Sequence, residues 1–299
     1  MAMKLSLGPI PYLWNREYVF DFYARVAEAP VAIVYLGETI CSKRRALRLP
    51  DWLDIAGRLT AAGKEVVLST LTLIEAESEV AYLRTIAENG SHAVEANDYA
   101  AVNMLEGATP FVIGPHINVY NSRTLEVLAQ AGAKRWVMPV ELDRDTLAAI
   151  QEQRPAGLET EVIVFGRLPL SFSARCFTAR AHNLSKDECN IRCADYPDGM
   201  RLHTREGASF LDLNGVQVLS ARTYNLLNEI KTLAELKVDI LRLIPQRQGM
   251  FEIIDAFHSV LQGVMPPAVA ADILAGCQPA GSCNGYWHGA PGMDQVNHA

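Results

Sequence analysis

Three cysteines crowd one short segment, Arg175-Cys176-Phe177-Thr178-Ala179-Arg180 … Glu188-Cys189-Asn190-Ile191-Arg192-Cys193, spaced C-x₁₂-C-x₃-C. The 299-residue chain has only six cysteines, so half of them lie between positions 176 and 193. A fourth, Cys41, stands far upstream in Cys41-Ser42-Lys43-Arg44-Arg45. Thiolates are soft ligands, and four of them with no ligand-spaced histidine pair nearby suit an iron–sulfur cluster or a Cys₄ zinc site. The spacing matches neither the two C-x₂-C knuckles of a zinc ribbon nor the bacterial ferredoxin run. The residues therefore argue for metal without naming it. Unrelated reduced thiols are the plainer alternative, and crowding of this kind speaks against it. Cys277 and Cys283, spaced C-x₅-C in a Pro-, Ala- and Gly-rich tail, read as free thiols.

Other chemistry-bearing residues are weaker signals. His116, in Gly114-Pro115-His116-Ile117-Asn118-Val119-Tyr120-Asn121, has the side chain best suited to move protons near neutral pH, but a lone histidine is more often structural. Glu38, Glu95 and Glu141 lie near strand ends, where a carboxylate contacts a substrate or, more commonly, solvent. Lys43-Arg44-Arg45 beside Cys41 suits the counter-charge of a cluster or an anionic substrate, and suits a solvated charge run equally well. No Ser-His-Asp or Cys-His arrangement occurs in a recognisable context. Neither G-x-G-x-x-G nor G-x-x-x-x-G-K-S/T is present, so nucleotide binding has no motif behind it.

Composition narrows the class. Apolar residues make up 49% and charged residues 20%, ordinary for a globular chain that can bury a sizeable core. The net charge of −7 gives no support to a nucleic-acid partner. Gly8, Pro9 and Pro11 interrupt the N-terminal apolar residues, so no secretory signal is expected. No apolar run is long enough to predict a transmembrane helix. A cytoplasmic location is the default that follows, and there clustered cysteines serve as metal ligands or catalytic groups more often than as disulfides.

The elements that must position these residues follow from periodicity. Candidate strands are Met3–Leu7, Val31–Leu36, Glu65–Ser69, His92–Glu95, Phe111–Gly114, Arg135–Met138, Glu161–Phe165 and Asp239–Leu243. Amphipathic stretches alternate with them: Tyr18–Glu28, Trp52–Ala62, Glu75–Glu88, Ser122–Ala131 and Arg144–Glu152. Repeated β-α units with short loops predict a parallel sheet, and eight of them favour an α/β (β/α)₈ barrel of the TIM type over an open doubly wound sheet. One barrel domain spanning 1–299 is expected. An insertion over about 171–220, after the seventh strand, carries the three clustered cysteines. Within it, Asn214-Gly215 between alternating runs predicts a type I′ hairpin. A helix over Tyr224–Leu236 follows, and the tail from about 265 to 299 is expected to be loosely structured. The barrel gives the cysteines a place. Cys41 follows the second strand and Cys176 the seventh, so both belong at the C-terminal face, where barrel enzymes build their sites. Strand ends deliver Ser69, Thr70, Glu95, His116, Asn118, Asn121 and Glu141 to that face as well.

A resemblance sharpens this. Tyr35-Leu36-Gly37-Glu38, Cys41-Ser42-Lys43-Arg44-Arg45, Leu68-Ser69-Thr70, Asn118-Val119-Tyr120-Asn121, Met138-Pro139-Val140-Glu141-Leu142, Arg167-Leu168-Pro169-Leu170, Ser173-Ala174-Arg175-Cys176-Phe177-Thr178-Ala179-Arg180, Lys186-Asp187-Glu188-Cys189 and Cys283-Asn284-Gly285-Tyr286-Trp287 together resemble the family named for collagenase-like peptidases. Within it, they are similar to the iron–sulfur members that act in oxygen-independent ubiquinone biosynthesis. The resemblance runs from Ser6 to Trp287, and its most specific motifs are Cys-Ser-Lys-Arg-Arg and Cys-Phe-Thr-Ala-Arg.

What the resemblance implies is concrete. The family's four cluster ligands map onto Cys41, Cys176, Cys189 and Cys193, which turns an open choice of metal into a 4Fe–4S cluster. Such proteins form a heterodimer with a homologous, UbiU-like subunit. Together the two are required for hydroxylation of the ubiquinone precursor without O₂, assisted by a UbiT-like accessory protein of the sterol-carrier type. Related members hydroxylate RNA bases, with prephenate implicated as the oxygen source. The family name does not imply proteolysis here. Ligation by four cysteines leaves no open iron, which suits electron transfer or a structural role. Glu141 and Arg44 are candidate contacts for an anionic oxygen donor, and no residue is assigned to catalysis. Two alternatives stand beside this reading. One is a subunit that only stabilises its partner through a structural metal. The other is a peptidase of the same broad family, which needs a reactive thiol with a base.

Overall fold

Short runs rich in Val, Ile and Leu, each followed by an amphipathic stretch, become parallel strands in the computed structural model, which describes residues 3–297. In chain order the strands are β1 (Lys4–Leu7), β2 (Ile33–Leu36), β3 (Glu65–Ser69), β4 (Ala93–Ala96), β5 (Phe111–Ile113), β6 (Ala133–Val137), β7 (Glu159–Phe172), β8 (Met200–His203), β9 (Ser209–Asn214), β10 (Gln217–Asn225), β11 (Ile240–Leu243) and β12 (Ser282–Cys283). Strands β1 to β7 pair parallel in sequence order, and β11 closes the ring by pairing parallel with both β1 and β7. This is the expected (β/α)₈ barrel.

The helices are α1 (Arg16–Glu28), α2 (Leu49–Ala61), α3 (Glu77–Ala87), α4 (Tyr99–Leu105), α5 (Ser122–Gln130), α6 (Arg144–Glu152), α7 (Phe177–Ala181), α8 (Ile230–Glu235), α9 (Met250–Leu261) and α10 (Pro267–Ala275). Several begin where an Asn or Asp side chain takes an orphan backbone N–H: Asn15 for α1, Asp98 for α4, Asn121 for α5 and Asp143 for α6. Asn121, a candidate site residue by position, is thus a helix cap. None of the described helices is long and apolar enough to cross a membrane.

The departure from a plain barrel begins inside β7. Its 14 residues run well past the ring. The first half pairs with β6 and β11; the second half, from Phe165 to Phe172, pairs antiparallel with β10. Gly166 sits at the changeover with φ +137°, and a Cβ there would lie 2.5 Å from Cβ of Ile244, so glycine permits both the backbone angle and the close approach. Strands β8, β9 and β10 then form an antiparallel layer that leans on the barrel's top. The hairpin falls where Asn214-Gly215 predicts it, but its turn differs. Asn214 pairs with Gln217, so Gly215 and Val216 are the loop residues, and of these only Gly215 is left-handed, at φ +69°. One left-handed residue at the first loop position belongs to the type II′ geometry, not type I′.

Two further expectations are corrected. Residues 224–236 are not one helix: Tyr224 pairs with Gly166 and Cys283 within the sheet, and the helix α8 starts only at Ile230. The tail is not loose. It carries α10, β12 and a 3₁₀ turn over Tyr286–His288, and it buries Ala270, Leu274, Cys283 and Trp287 completely. Trp287 Nε1 donates to Glu229 at 3.1 Å, which ties the tail to the segment before α8.

Candidate metal centre and barrel mouth

The loop after β2 is built to hold Cys41 still. Glu38 Oε1 accepts the backbone N–H groups of Ile40 (2.9 Å) and Cys41 (3.1 Å). Burial pushes the Glu38 carboxyl up, and the Arg44 guanidinium at 4.0 Å and those two N–H groups pull against it. Ser42 Oγ donates to Glu79 Oε1 at 2.5 Å, which anchors the loop to the start of α3. Lys43 reaches across to the cysteine-bearing segment, donating to the Lys186 carbonyl (2.9 Å) and to Asp187 (2.8 Å). Arg44 turns inward and is almost completely buried. Its Nη1 donates to the Pro11 carbonyl and its Nη2 to Asn214 Oδ1, each at 2.8 Å, while its Nε has no hydrogen-bond partner.

The segment after β7 meets this loop from the other side. Cys176 caps α7, with its sulfur accepting the Ala179 N–H at 3.4 Å. The hairpin tip holds that turn in place: Phe177 N donates to the Gly215 carbonyl (2.8 Å), and Gly215 N donates to Thr178 Oγ1 (3.0 Å). A Cβ on Gly215 would come within 2.8 Å of Arg44 Nη2, so the tip must be glycine for the arginine to lie where it does. Asn190 and Ile191, between Cys189 and Cys193, both take left-handed backbone angles (φ +46° and +53°). That is costly for a β-branched residue and bends the chain so that both thiols turn inward.

The outcome is one cavity lined by Cys41, Cys176, Cys189 and Cys193 together with Lys43, Arg44, Lys186 and Arg192. Ile40, Cys176, Ala179 and Val216 form a small apolar cluster of their own here, separate from the main core, with Cys41 and Cys189 packed against it. Burial pushes the Cys41 and Cys193 thiols up, with Arg44 opposing in both cases. All six cysteines are free thiols. The two in the tail lie elsewhere: Cys283 is fully buried on β12, and the Cys277 sulfur lies against Gly249 at the start of α9. Among the described residues no group of three or more His, Cys, Asp or Glu stands close enough together to hold a metal ion. A mononuclear zinc site holds its sulfurs about 2.3 Å from a single point. A cubane asks for something else, one thiolate at each of four corners around a shared space. Four thiols on one cavity, with Lys43, Arg44, Lys186 and Arg192 in its wall, suit that donor set and its negative charge.

A second cavity fills the barrel's mouth. Its walls include Pro9, Ile40, Asn97, His116, Arg167 and Arg242. The mouth and the thiol cavity are neighbours, since Ile40 lines the first and Cys41 the second. Below the mouth, the barrel lumen is polar. Arg242, on β11, donates to Glu95 (2.6 Å) and Glu161 (2.8 Å) and lies 3.8 Å over the Tyr35 ring. Glu161 also accepts from Ser6 and Tyr35, each at 2.5 Å, and Glu95 from Ser69 at 2.7 Å. Among the described residues, two buried polar atoms at this level have no hydrogen-bond partner: Arg242 Nη2 and Asn97 Oδ1. Asn97 Nδ2 is occupied by the Thr70 carbonyl and Glu95, and its oxygen lies against Gly114, where a Cβ would come within 2.0 Å of it. Burial, with Arg242 adding to it, lowers the His116 pKa to about 3, so His116 is a neutral imidazole at physiological pH.

Arg242 and Glu161 were not singled out by sequence reasoning. The available signal was a charge inside an apolar strand, Ile240-Leu241-Arg242-Leu243, at a position whose alternation faces the lumen. Other candidates serve structure. Thr70 hydrogen-bonds the Glu95 carbonyl, and Tyr120 donates to Glu141 (2.5 Å) at the surface with Asn118 Oδ1 3.3 Å from its hydroxyl. Glu141 and Arg44, the two suggested anion contacts, are engaged with different partners and do not line one cavity.

The profile of peptidase family U32 matches residues 14–270. The chain belongs to this family. Among solved structures, this U32 chain is similar to the U32 peptidase Mk0906, with 14% identity, 83% of this chain and 95% of that one covered, and a TM-score of 0.47. It is also similar to an uncharacterized B. cereus protein (14% identity, 85% and 64% covered, TM-score 0.39). Dihydropteroate synthase from Thermus thermophilus matches at 12% identity, with 88% and 92% covered and a TM-score of 0.43. The barrel itself is read from strand pairing, not from these likenesses.

Proposed function

We propose that this U32 chain is a UbiV-like protein: a 4Fe–4S subunit required for oxygen-independent hydroxylation in ubiquinone biosynthesis. The observation that carries the reading is the single cavity onto which Cys41, Cys176, Cys189 and Cys193 open. Bound there, the cluster supplies one-electron chemistry or local rigidity. The chain's own residues do the rest. Arg44, Lys43, Lys186 and Arg192 offset the charge of four thiolates. Ile40, Val216 and Ala179 keep water from the sulfurs. The barrel mouth, one residue away, receives the aromatic ubiquinone precursor or its oxygen donor, for which prephenate is the candidate. Asn97, His116, Arg167 and Arg242 are polar side chains of its wall. His182 pairs with Tyr196 at 3.0 Å, and His116 packs edge-on to Phe172.

The physiological test is quinone content. A strain lacking this protein should make no ubiquinone without oxygen and normal amounts with it. Isotopic tracing of the ring oxygens separates the two routes. Unchanged anaerobic ubiquinone rejects the function.

We also propose that the protein works as a heterodimer with a UbiU-like subunit, assisted by a UbiT-like accessory protein. Val269 and Ile273, one turn apart on α10, are exposed apolar side chains of the kind a partner covers. The co-expressed subunits should elute together from a sizing column at micromolar concentration. Clean separation there refutes the pairing.

A further inference from the structure

A groove on the outer side of the cysteine loops is assigned no role above. It is lined by Trp14, Asn15, Tyr18, Lys43, Arg45, Ile191, Pro197 and Arg247, among others, and none of its lining residues is acidic. This contrasts with a chain whose net charge is −7. Lys43 is partly neutralised by Asp187. Arg45 and Arg247 are exposed and make no ion pair among the described residues. Arg247 stacks over Tyr18 at 4.8 Å, and the Tyr18 hydroxyl donates to its carbonyl at 3.3 Å, so this cation is held in place rather than free to wander. The buried Trp14 packs edge-on to Tyr18 and donates to the Pro197 carbonyl at 3.0 Å, which makes the floor rigid.

Its position is what gives the groove a function. Lys43 and Ile191 line both the groove and the thiol cavity, so a single layer of side chains separates the two. Ile191 is also the residue held in the left-handed conformation, φ +53°. Strain of that kind persists where surrounding structure over-determines it, and here it sets a thin wall between a buried cluster and the surface.

We propose that this groove is the docking site of an acidic one-electron carrier protein, of the flavodoxin or ferredoxin class, that reduces the cluster. The inference rests on the metal reading above and extends it to a partner. One electron leaves the carrier's reduced cofactor and enters the oxidised cluster; no atom is transferred and no further reductant is needed. Encounters of this type use small interfaces steered by charge, and a short basic rim with an aromatic floor matches that pattern.

Flavodoxin is the probe. Calorimetry with anaerobically purified full-length protein should show binding of oxidised flavodoxin that weakens steeply as salt rises. Reversing both free charges, Arg45→Glu with Arg247→Glu, should weaken it about tenfold or more. Arg123→Glu on α5, whose guanidinium pairs with Glu126, should leave it unchanged. In stopped flow, cluster reduction by flavodoxin hydroquinone should slow by the same factor in the double variant. Reduction by dithionite, and the iron content, should not change. Affinity within about twofold of the parent in the double variant, or binding indifferent to salt, overturns the docking site. Binding of inorganic phosphate without binding of flavodoxin overturns it too. Missing iron is a different failure: it removes the metal reading and is measured separately from affinity.

Discussion

Cys176→Ala should take the protein from about four irons and four sulfides per chain to almost none. The same loss is expected for Cys41→Ala, Cys189→Ala and Cys193→Ala, because the four sulfurs open onto one cavity and each would hold one corner of a cubane. Cys277→Ala and Cys283→Ala serve as the internal comparison. Both residues are buried cysteines, but one packs against Gly249 and the other lies on β12, so neither can reach the cavity. Their replacement leaves a small void and a modest loss of stability, with the iron retained. Metal analysis, sulfide analysis and EPR of anaerobically purified protein give the readout. Zinc as the only stoichiometric metal rejects the cluster. Equal iron loss from Cys277→Ala and Cys176→Ala shows the wrong set of four. Cluster loss should also loosen the local structure. The apolar cluster of Ile40, Cys176, Ala179 and Val216 is small, and metal binding contributes folding free energy wherever the ligands come from separate segments. The segment over 176–199 should therefore become the first protease-sensitive region in the Cys176→Ala variant.

The barrel was legible in the sequence because its signal is redundant. Each strand is a short β-branched run, each helix has an amphipathic face, and many of the caps are Asn or Asp, so β3 and α6 fall on their expected bounds to the residue. Convergence of the cysteines followed from strand register alone: a residue after β2 and a residue after β7 share the top face of any barrel. What was not legible depends on distant partners. Nothing local in Arg167–Phe172 says that β7 leaves the ring to pair with β10; that needs Gly166 approaching Ile244 and a strand far downstream. The tail reads as loose because Pro, Ala and Gly carry little pattern, yet Trp287 and Cys283 find burial against the barrel's far elements. The lumen is a third case. Arg242 shows as a lone charge in an apolar strand, but its partner Glu161 is found only when the ring closes and β11 pairs with β7.

Arg242→Met should be the most damaging single change outside the thiol cavity, costing about 3–5 kcal/mol at neutral pH. In the native barrel Arg242 joins two carboxylates that are themselves fully buried. Methionine fills much of the volume but leaves Glu95 without its ion pair and Glu161 with only Arg135, at 3.8 Å. The stacking over Tyr35 is lost as well. For a chain of this length such a loss lowers Tm by roughly 10 °C. The pH dependence distinguishes electrostatics from packing. Burial alone would raise the Glu161 pKa, but the Arg242 and Arg135 charges and the hydrogen bonds from Arg242 and Ser6 outweigh it, so the folded value lies below the ordinary one. A depressed folded pKa contributes stability that is present above the unfolded value, about 4.3, and lost as pH falls through the folded value. The native protein should therefore lose stability on acidification below that point. In Arg242→Met, burial acts on Glu161 with less to oppose it, so protonation relieves the variant as pH falls from about 7 towards about 4.5. The gap between the two proteins should accordingly narrow in acid. Denaturant titrations of both at the two pH values measure it. A gap under about 1 kcal/mol at neutral pH would show that the lumen network contributes little to stability. A gap of the same size at both pH values would show that packing, not charge, is what Arg242 provides.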